Sequence, residues 1–207
     1  MHKERMAKIK LTKSELKSQR DSLKQFSRYL PTLQLKKIQL QVEMRKCQQK
    51  IEENDRKQEE LRDNLSSWVS LFSEKTAVEH ISSLIKADEI LTDSQNIAGV
   101  EVPVFKSVRF SVVEYDLFTE DLWIDNAVDT VEKLFSLKAE QIVIRKQYEL
   151  IGNELRITTQ RVNLFEKVKI PECKENIRVI QIYMGDQQTA AVGRSKIAKR
   201  KMQENAA

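Results

Sequence analysis

Glycine and proline are scarce: four and three in 207 residues, far below the usage that a loop-rich fold requires. Aromatic residues make up only 6% of the chain, so the material for one large compact core is thin. Charged residues reach 32% and apolar ones 40%, which is too much aliphatic content for a disordered chain. Cys47 and Cys173 stand alone, with no Cys-x-x-Cys pair, which excludes the usual zinc frameworks and points to a reducing, cytosolic setting. His2 and His80 are the only histidines, and neither has a ligand-spaced neighbour in sequence, so no metal site is expected. His80 reads as a partly buried helix residue. No apolar run approaches the ~20 residues of a membrane span, and the charged start lacks a signal-peptide core. Gly-x-x-x-x-Gly-Lys-Ser/Thr and Gly-x-Gly-x-x-Gly turns are missing too, so no nucleotide or other cofactor is expected and no motif invites catalysis.

What is present is periodicity. One heptad series, positions 9, 16, 23, 30, 37, 44, 51, 58, 65 and 72, is apolar at eight of its ten places. Its companion series carries Phe26, Leu33, Leu40, Cys47, Leu61 and Trp68. A register held that long predicts a supercoiled helix and not a globular one. Leu16, Leu23, Leu30, Met44, Ile51 and Leu65 are its expected core. Thr12-Lys13-Ser14-Glu15 has the spacing of a capping box, and Pro31 predicts a bend. A helix of ~60 residues is roughly 90 Å long, whereas a compact chain of this size has a radius of gyration of only ~17 Å. The segment is expected to be a rod, and a rod needs a partner for its seam.

The C-terminal half supplies one. Ala127, Leu134, Tyr148, Leu155 and Val162 mark one heptad series; Leu137, Ile144, Ile151 and Phe165 mark the other. Beyond Phe165 the apolar positions advance in steps of four, a stutter that locally unwinds a coil. Antiparallel pairing about a midpoint near residue 100 makes partner numbers add to about 200, which places Pro31 and Pro171 at one level. The middle differs. Thr76–Glu79 reads as the cap of a short helix carrying Ile81, Leu84 and Ile85, and Asp93, Ser94, Asn96 and Gly99 read as a loop. Val100–Phe105 and Val108–Tyr115 read as a hairpin turning at Lys106-Ser107, with Pro103 confined to an edge or bulge. Thr119-Glu120-Asp121 caps the returning helix. Trp68, Phe72 and Trp123 serve core packing or partner contact. The expected fold is therefore mainly α: a long antiparallel two-helix coiled coil with a small central short-helix and β-hairpin region. Its segments are 1–75, 76–118 and 119–207.

Charge is concentrated at the ends. Residues 1–24 carry +5 and residues 194–207 carry +4, leaving −4 for the middle. Antiparallel pairing gathers Lys8, Lys10, Lys13, Arg194, Lys196, Lys199 and Arg200 at one tip. Such basic ends suit nucleic acid, an anionic membrane or an acidic protein surface, or they simply keep helix ends solvated.

Asn153–Pro171 reads Asn-Glu-Leu-Arg-Ile-Thr-Thr-Gln-Arg-Val-Asn-Leu-Phe-Glu-Lys-Val-Lys-Ile-Pro. This block resembles the signature of the D subunit, the rotor-shaft subunit, of the V-type and archaeal-type rotary ATPases. Its members here are Glu154, Leu155, Arg156, Thr158, Thr159, Arg161, Val162, Asn163, Glu166, Ile170 and Pro171. Leu11–Leu16 and Ile97–Phe105 are similar to that family as well, in the right order. The run after Tyr183, with Gly185 and Gly193, departs from it. The resemblance implies a non-catalytic central-stalk shaft that carries torque between the ATP-hydrolysing or ATP-synthesising head and the membrane ion-translocating ring. Its implied partners are the A- and B-type head subunits, the small F subunit of the stalk and a socket subunit on the ring. It implies no nucleic acid, no direct membrane span, and a cytoplasmic place peripheral to the membrane. Arg156, Arg161 and Asn163 serve hydrogen bonds between the helices or contact with a partner. Thr158 and Thr159 serve close packing.

From the residues alone two other readings stand. One is a cytoplasmic coiled-coil tether or chaperone-like clamp without ATPase partners. The other is an RNA-gripping helical hairpin, whose mark is steeply salt-dependent RNA binding.

Overall fold

In the computed structural model, residues 9–66, 83–113 and 124–205 are described. Helix α1 spans Lys13–Ser66, strands β1 and β2 span Ile85–Ile97 and Val100–Val112, and helix α2 spans Ile124–Leu164. A π-helical turn, Phe165–Lys169, leads into helix α3, Ile170–Glu204. The mainly helical architecture with a small hairpin is the one the periodicity predicts. His2, Lys8, Trp68, Phe72, His80, Ile81, Trp123 and the caps at Thr76 and Thr119 lie outside the described residues.

The contacts divide the chain into two units, residues 36–157 and residues 1–35 with 158–207. In the first, α1 and α2 meet in antiparallel order: Lys36 with Glu154, Cys47 with Gln147, Asn54 with Glu140. Leu40, Cys47, Val102, Ile144 and Ile151 form one buried cluster, with Leu40 and Ile151 0% exposed. Leu84, Ile85, Ile124, Ala127 and Val128 form a second. Each cluster takes residues three, four or seven apart from its helices, the spacing that puts side chains on one face.

The hairpin joins both clusters. Ile97, Ala98 and Val100 at its tip pack on the first, and Phe110 near its base packs on the second. Its turn is Ala98-Gly99 and not Lys106-Ser107, and the stretch expected as a loop, Asp93–Gly99, is mostly strand. Ile97 faces Val100 and Ile90 faces Val108 across the pair, so Val100–Val112 is one strand instead of two. Ala98 and Gly99 both have positive φ, 50° and 80°, as a two-residue type I′ turn demands. The Gly99 amide donates to Asn96 Oδ1 at 2.9 Å. The polar residues of β1 imitate a loop because the strand is almost wholly exposed on both faces and has no apolar alternation to keep. Ile85 likewise opens β1 and does not belong to a helix. Pro103, opposite Ser94, sits in a two-stranded sheet where every strand is an edge.

In the second unit, the rings of Phe26 and Phe165 stack with centroids 5.0 Å apart, and Asn176 Nδ2 donates to Gln19 Oε1 at 3.3 Å. Partner numbers over both units add to between 190 and 196, not 200. The two prolines therefore do not share a level. Pro31 lies five residues beyond Phe26 and Pro171 six beyond Phe165, and the helices run oppositely, so these offsets add to roughly 16 Å of rise. α1 continues through Pro31. The carbonyl left without its amide is that of exposed Ser27, which water can reach. At Pro171 the answer differs. The π-turn falls where the spacing predicts a stutter, immediately before the proline, and its wider i→i−5 geometry relieves the clash a proline makes with the preceding turn.

Candidate functional site

Among the described residues no group of three or more His, Cys, Asp or Glu side chains could hold a metal ion, and no helix is long and apolar enough to cross a membrane. The chemistry that the molecule displays is instead that of pairing and of outward-facing surface.

Helical spacing sorts the Glu154–Pro171 motif into two sets. Thr158 and Val162 are buried, 1% and 3% exposed, in step with Ile151 and half-buried Leu155 and Phe165. Glu154 accepts from Lys36 Nζ at 2.7 Å, with both side chains under a third exposed. These residues fasten helix to helix. Arg156, Arg161, Asn163, Glu166 and Pro171 are exposed, and Thr159 and Ile170 are half-buried. Arg156, Arg161 and Asn163 make no interhelical hydrogen bond among the described residues. Their donors face solvent.

Lys10 and Lys13 stand at the start of α1, where Thr12 Oγ1 accepts the Glu15 amide at 3.2 Å. Only this half of the capping box forms: the Thr12 amide donates to the Lys10 carbonyl at 2.9 Å, and the Glu15 carboxylate accepts from Gln19 Nε2 at 2.8 Å. Arg194, Lys196, Lys199 and Arg200 are exposed on α3, and Arg200 pairs with Glu204 at 2.9 Å. Taking Gln19 and Asn176 as level, α3 runs about 22 residues, roughly 33 Å, past the start of α1. α3 passes through Gly185 and Gly193, where an added Cβ would meet nothing within 4 Å. The described basic residues thus occupy one end of this unit, and the α3 members lie beyond the α1 members.

Sequence reasoning missed a polar band between the two apolar clusters. Asn54 Nδ2 donates to Glu140 Oε2 at 3.0 Å, and Gln58 Nε2 donates to Asn54 Oδ1 at 2.6 Å. Gln147 Nε2 donates to the Pro103 carbonyl and so ties the hairpin to α2, while Gln141 Nε2 donates to Asp55 Oδ1. Asn54, Gln58 and Gln147 are 3%, 6% and 7% exposed. The signal was visible as polar letters at seam positions 54 and 58. Burial pushes the Cys47 thiol up from its ordinary range, and Cys173 likewise. Both cysteines are free and buried, and so inert as nucleophiles.

Long helices paired along buried seams define a class of coiled-coil assembly proteins. The model of one family, described as the D subunit of ATP synthase, matches residues 15–200. Among curated proteins, the V-type ATP synthase D subunit of Borreliella burgdorferi is 48% identical over 194 residues, 94% of this chain and 95% of its own. That of Chlamydia muridarum is 34% identical over 199 residues, covering 96% and 98%, and that of Chlamydia felis is 34% identical over 198, covering 96% and 95%. The chain belongs to the ATP synthase D-subunit family. It is a stalk component of a V-type rotary ATPase and not a catalytic one.

Proposed function

We propose that this chain is the central-stalk rotor shaft, transmitting torque between the catalytic head and the membrane ion-translocating ring. The observation that carries the reading is the unbroken family match over 15–200, which takes in both long helices and the hairpin. The physical support is in the seam. Torque passes from one helix to the other only if the pair cannot slip, and ion pairs, amide bonds and interlocked side chains resist slipping. A two-helix coil also has no threefold symmetry, so it presents a different face to each of three catalytic sites.

On this reading the partners are the A- and B-type head subunits, the small F subunit of the stalk and the socket subunit of the ring, and the place is cytoplasmic, on the membrane through the complex. Lys8, Lys10, Lys13, Arg194, Lys196, Lys199 and Arg200 face the head's inner surface. The outward donors of Arg156, Arg161 and Asn163 serve a neighbouring component of the complex. The test is affinity purification of the tagged chain from its native cell. Head and stalk subunits are expected in fixed ratio, with ATP-driven rotation that slows when the basic tip is neutralised. A chain recovered alone as a stable oligomer would instead mark the tether or clamp.

A further inference from the structure

Two side chains of the seam each join three elements. Gln147, on α2, is 7% exposed; its Nε2 donates to the Pro103 carbonyl of the hairpin, and its Oε1 accepts from Cys47 Sγ of α1 at 3.8 Å. Lys36, on α1, donates through Nζ to Glu154 of α2 at 2.7 Å. A Cβ added at Gly99, in the hairpin turn, would lie 3.6 Å from that same nitrogen. Between these junctions Val102, 1% exposed, packs in one cluster with Leu40 of α1 and with Ile144 and Ile151 of α2. The tip of the hairpin thus rests on both helices at once.

The base is held differently. Leu84 and Ile85 pack with Ile124, Ala127 and Val128, so among the described residues the helical members of this cluster come from α2 alone. The Val113 amide closes the base on the Leu84 carbonyl at 2.9 Å. Between base and tip β1 is almost wholly exposed, and its pairing with β2 shifts twice, between Ala87 and Glu89 and between Leu91 and Thr92. Such irregularities interrupt the ladder and let a strand bend. The hairpin is therefore anchored on one helix, jointed in the middle and seated at its tip on two.

An axial slip of one helical turn moves α1 by ~5.4 Å against α2. Hydrogen bonds between nitrogen and oxygen fail beyond about 3.5 Å. Such a slip therefore parts Lys36 from Glu154 and Cys47 from Gln147 and splits the seat of Val102, while the base stays on α2. We infer that the hairpin is a register-sensing strap: its tip lies down only while the two helices are in step, and it lifts about the irregular middle of β1 when they slip. Resting on the rotor reading, torque is the load that drives slip. The strap then marks an overloaded shaft by releasing its tip, and it seats again when register returns.

The test uses the full purified chain and hydrogen exchange resolved by residue. Glu154 is informative because, among the described residues, its hydrogen bond and ion pair go to Lys36 and none goes to the hairpin. Glu154→Gln keeps the side chain's shape and helix propensity and weakens its hold on Lys36. Protection of the tip amides, Ile97 to Val104, should fall about three- to tenfold. Asn54→Ala, which removes an interhelical bond beyond the Gln147 junction, should loosen the tip by a comparable factor, although the printed bonds of Asn54 go only to Glu140 and Gln58. Val128→Ala, which loosens the base cluster, should leave tip protection as it is. A tip that responds to Glu154→Gln but not to Asn54→Ala would overturn the strap, because Lys36 would then act on the turn alone. So would a tip that responds equally to Val128→Ala. Exchange of the unmodified chain in rising urea needs no substitution: the tip should open at lower urea than the base, and simultaneous opening would overturn the hinge. None of these measurements needs the head. A chain that never co-purifies with head subunits sinks the rotor reading and leaves the strap to be judged by exchange alone.

Discussion

The two units of the chain hold their helices together by different means. In residues 36–157 the seam combines a closed apolar cluster with an ion pair, a buried amide band and a hairpin seated by Gln147 on the Pro103 carbonyl. In residues 1–35 with 158–207 it rests on a tilted aromatic pair, one amide contact and scattered apolar positions, and a π-turn resets the phase of one helix. Apolar contact is non-directional and tolerates sliding, whereas a buried amide or carboxylate without its partner costs far more than a displaced methyl group. The first arrangement selects one register. The second leaves more room for adjustment.

Core truncation should separate the two most strongly. Ile151 and Ile180 are each 0% exposed, but only Ile151 sits in the closed cluster. Ile151→Ala should lower unfolding free energy by about 3–4 kcal/mol, and Ile180→Ala by about 2, because the looser site can collapse around the gap. Denaturant melts of the purified chain measure both, and equal losses would erase the contrast. A smaller difference is expected from the amides. Asn54→Ala strips both Gln58 and Glu140 of a partner and should cost about 1–3 kcal/mol. Asn176→Ala breaks one 3.3 Å bond and should cost about 0.5 kcal/mol. The same melts decide this, and a larger loss at Asn176 would reverse the assignment of the register-setting unit.

The smallest effect belongs to the hairpin. Lys106 Nζ lies 3.1 Å from Asp93 Oδ2, and its hydrogen bond, with one from the Ser94 amide, holds the Asp93 carboxyl below the usual range. A depressed carboxyl stabilises the fold fully above the unfolded value, about 3.9, and that contribution is lost as pH falls through the lower folded value. Protection of the β1–β2 ladder amides, relative to their intrinsic exchange at each pH, should therefore fall on acidification below about pH 4, and Asp93→Asn should remove that step. An unchanged profile in the variant would show that the pair does nothing for the strands.

Much of this was legible in the letters. Heptads name the seam because burial on a helix recurs at the helical period, and the phase change after Phe165 announces the π-turn. The motif's polar members are legible as a set, but their direction is not. Arg156 and Arg161 turn outward because Leu155, Thr158 and Val162 occupy the inner face, a matter of which residues the facing helix selects. The sequence pattern places the hairpin one turn too late, since an exposed strand such as β1 carries no alternation and its polar run imitates a loop.

Local chemistry alone, then, determined the helices, the inward stripe, the half-formed cap at Thr12 and the family to which the chain belongs, because each depends on spacing within a few residues. Only the packed molecule decided the seating of the hairpin turn on Ala98-Gly99, the pairing register and the interhelical partners of Lys36, Cys47 and Asn54. Those contacts join residues about a hundred positions apart. No periodicity within either segment specifies its offset against the other, and that offset is set where buried polar groups find their mates.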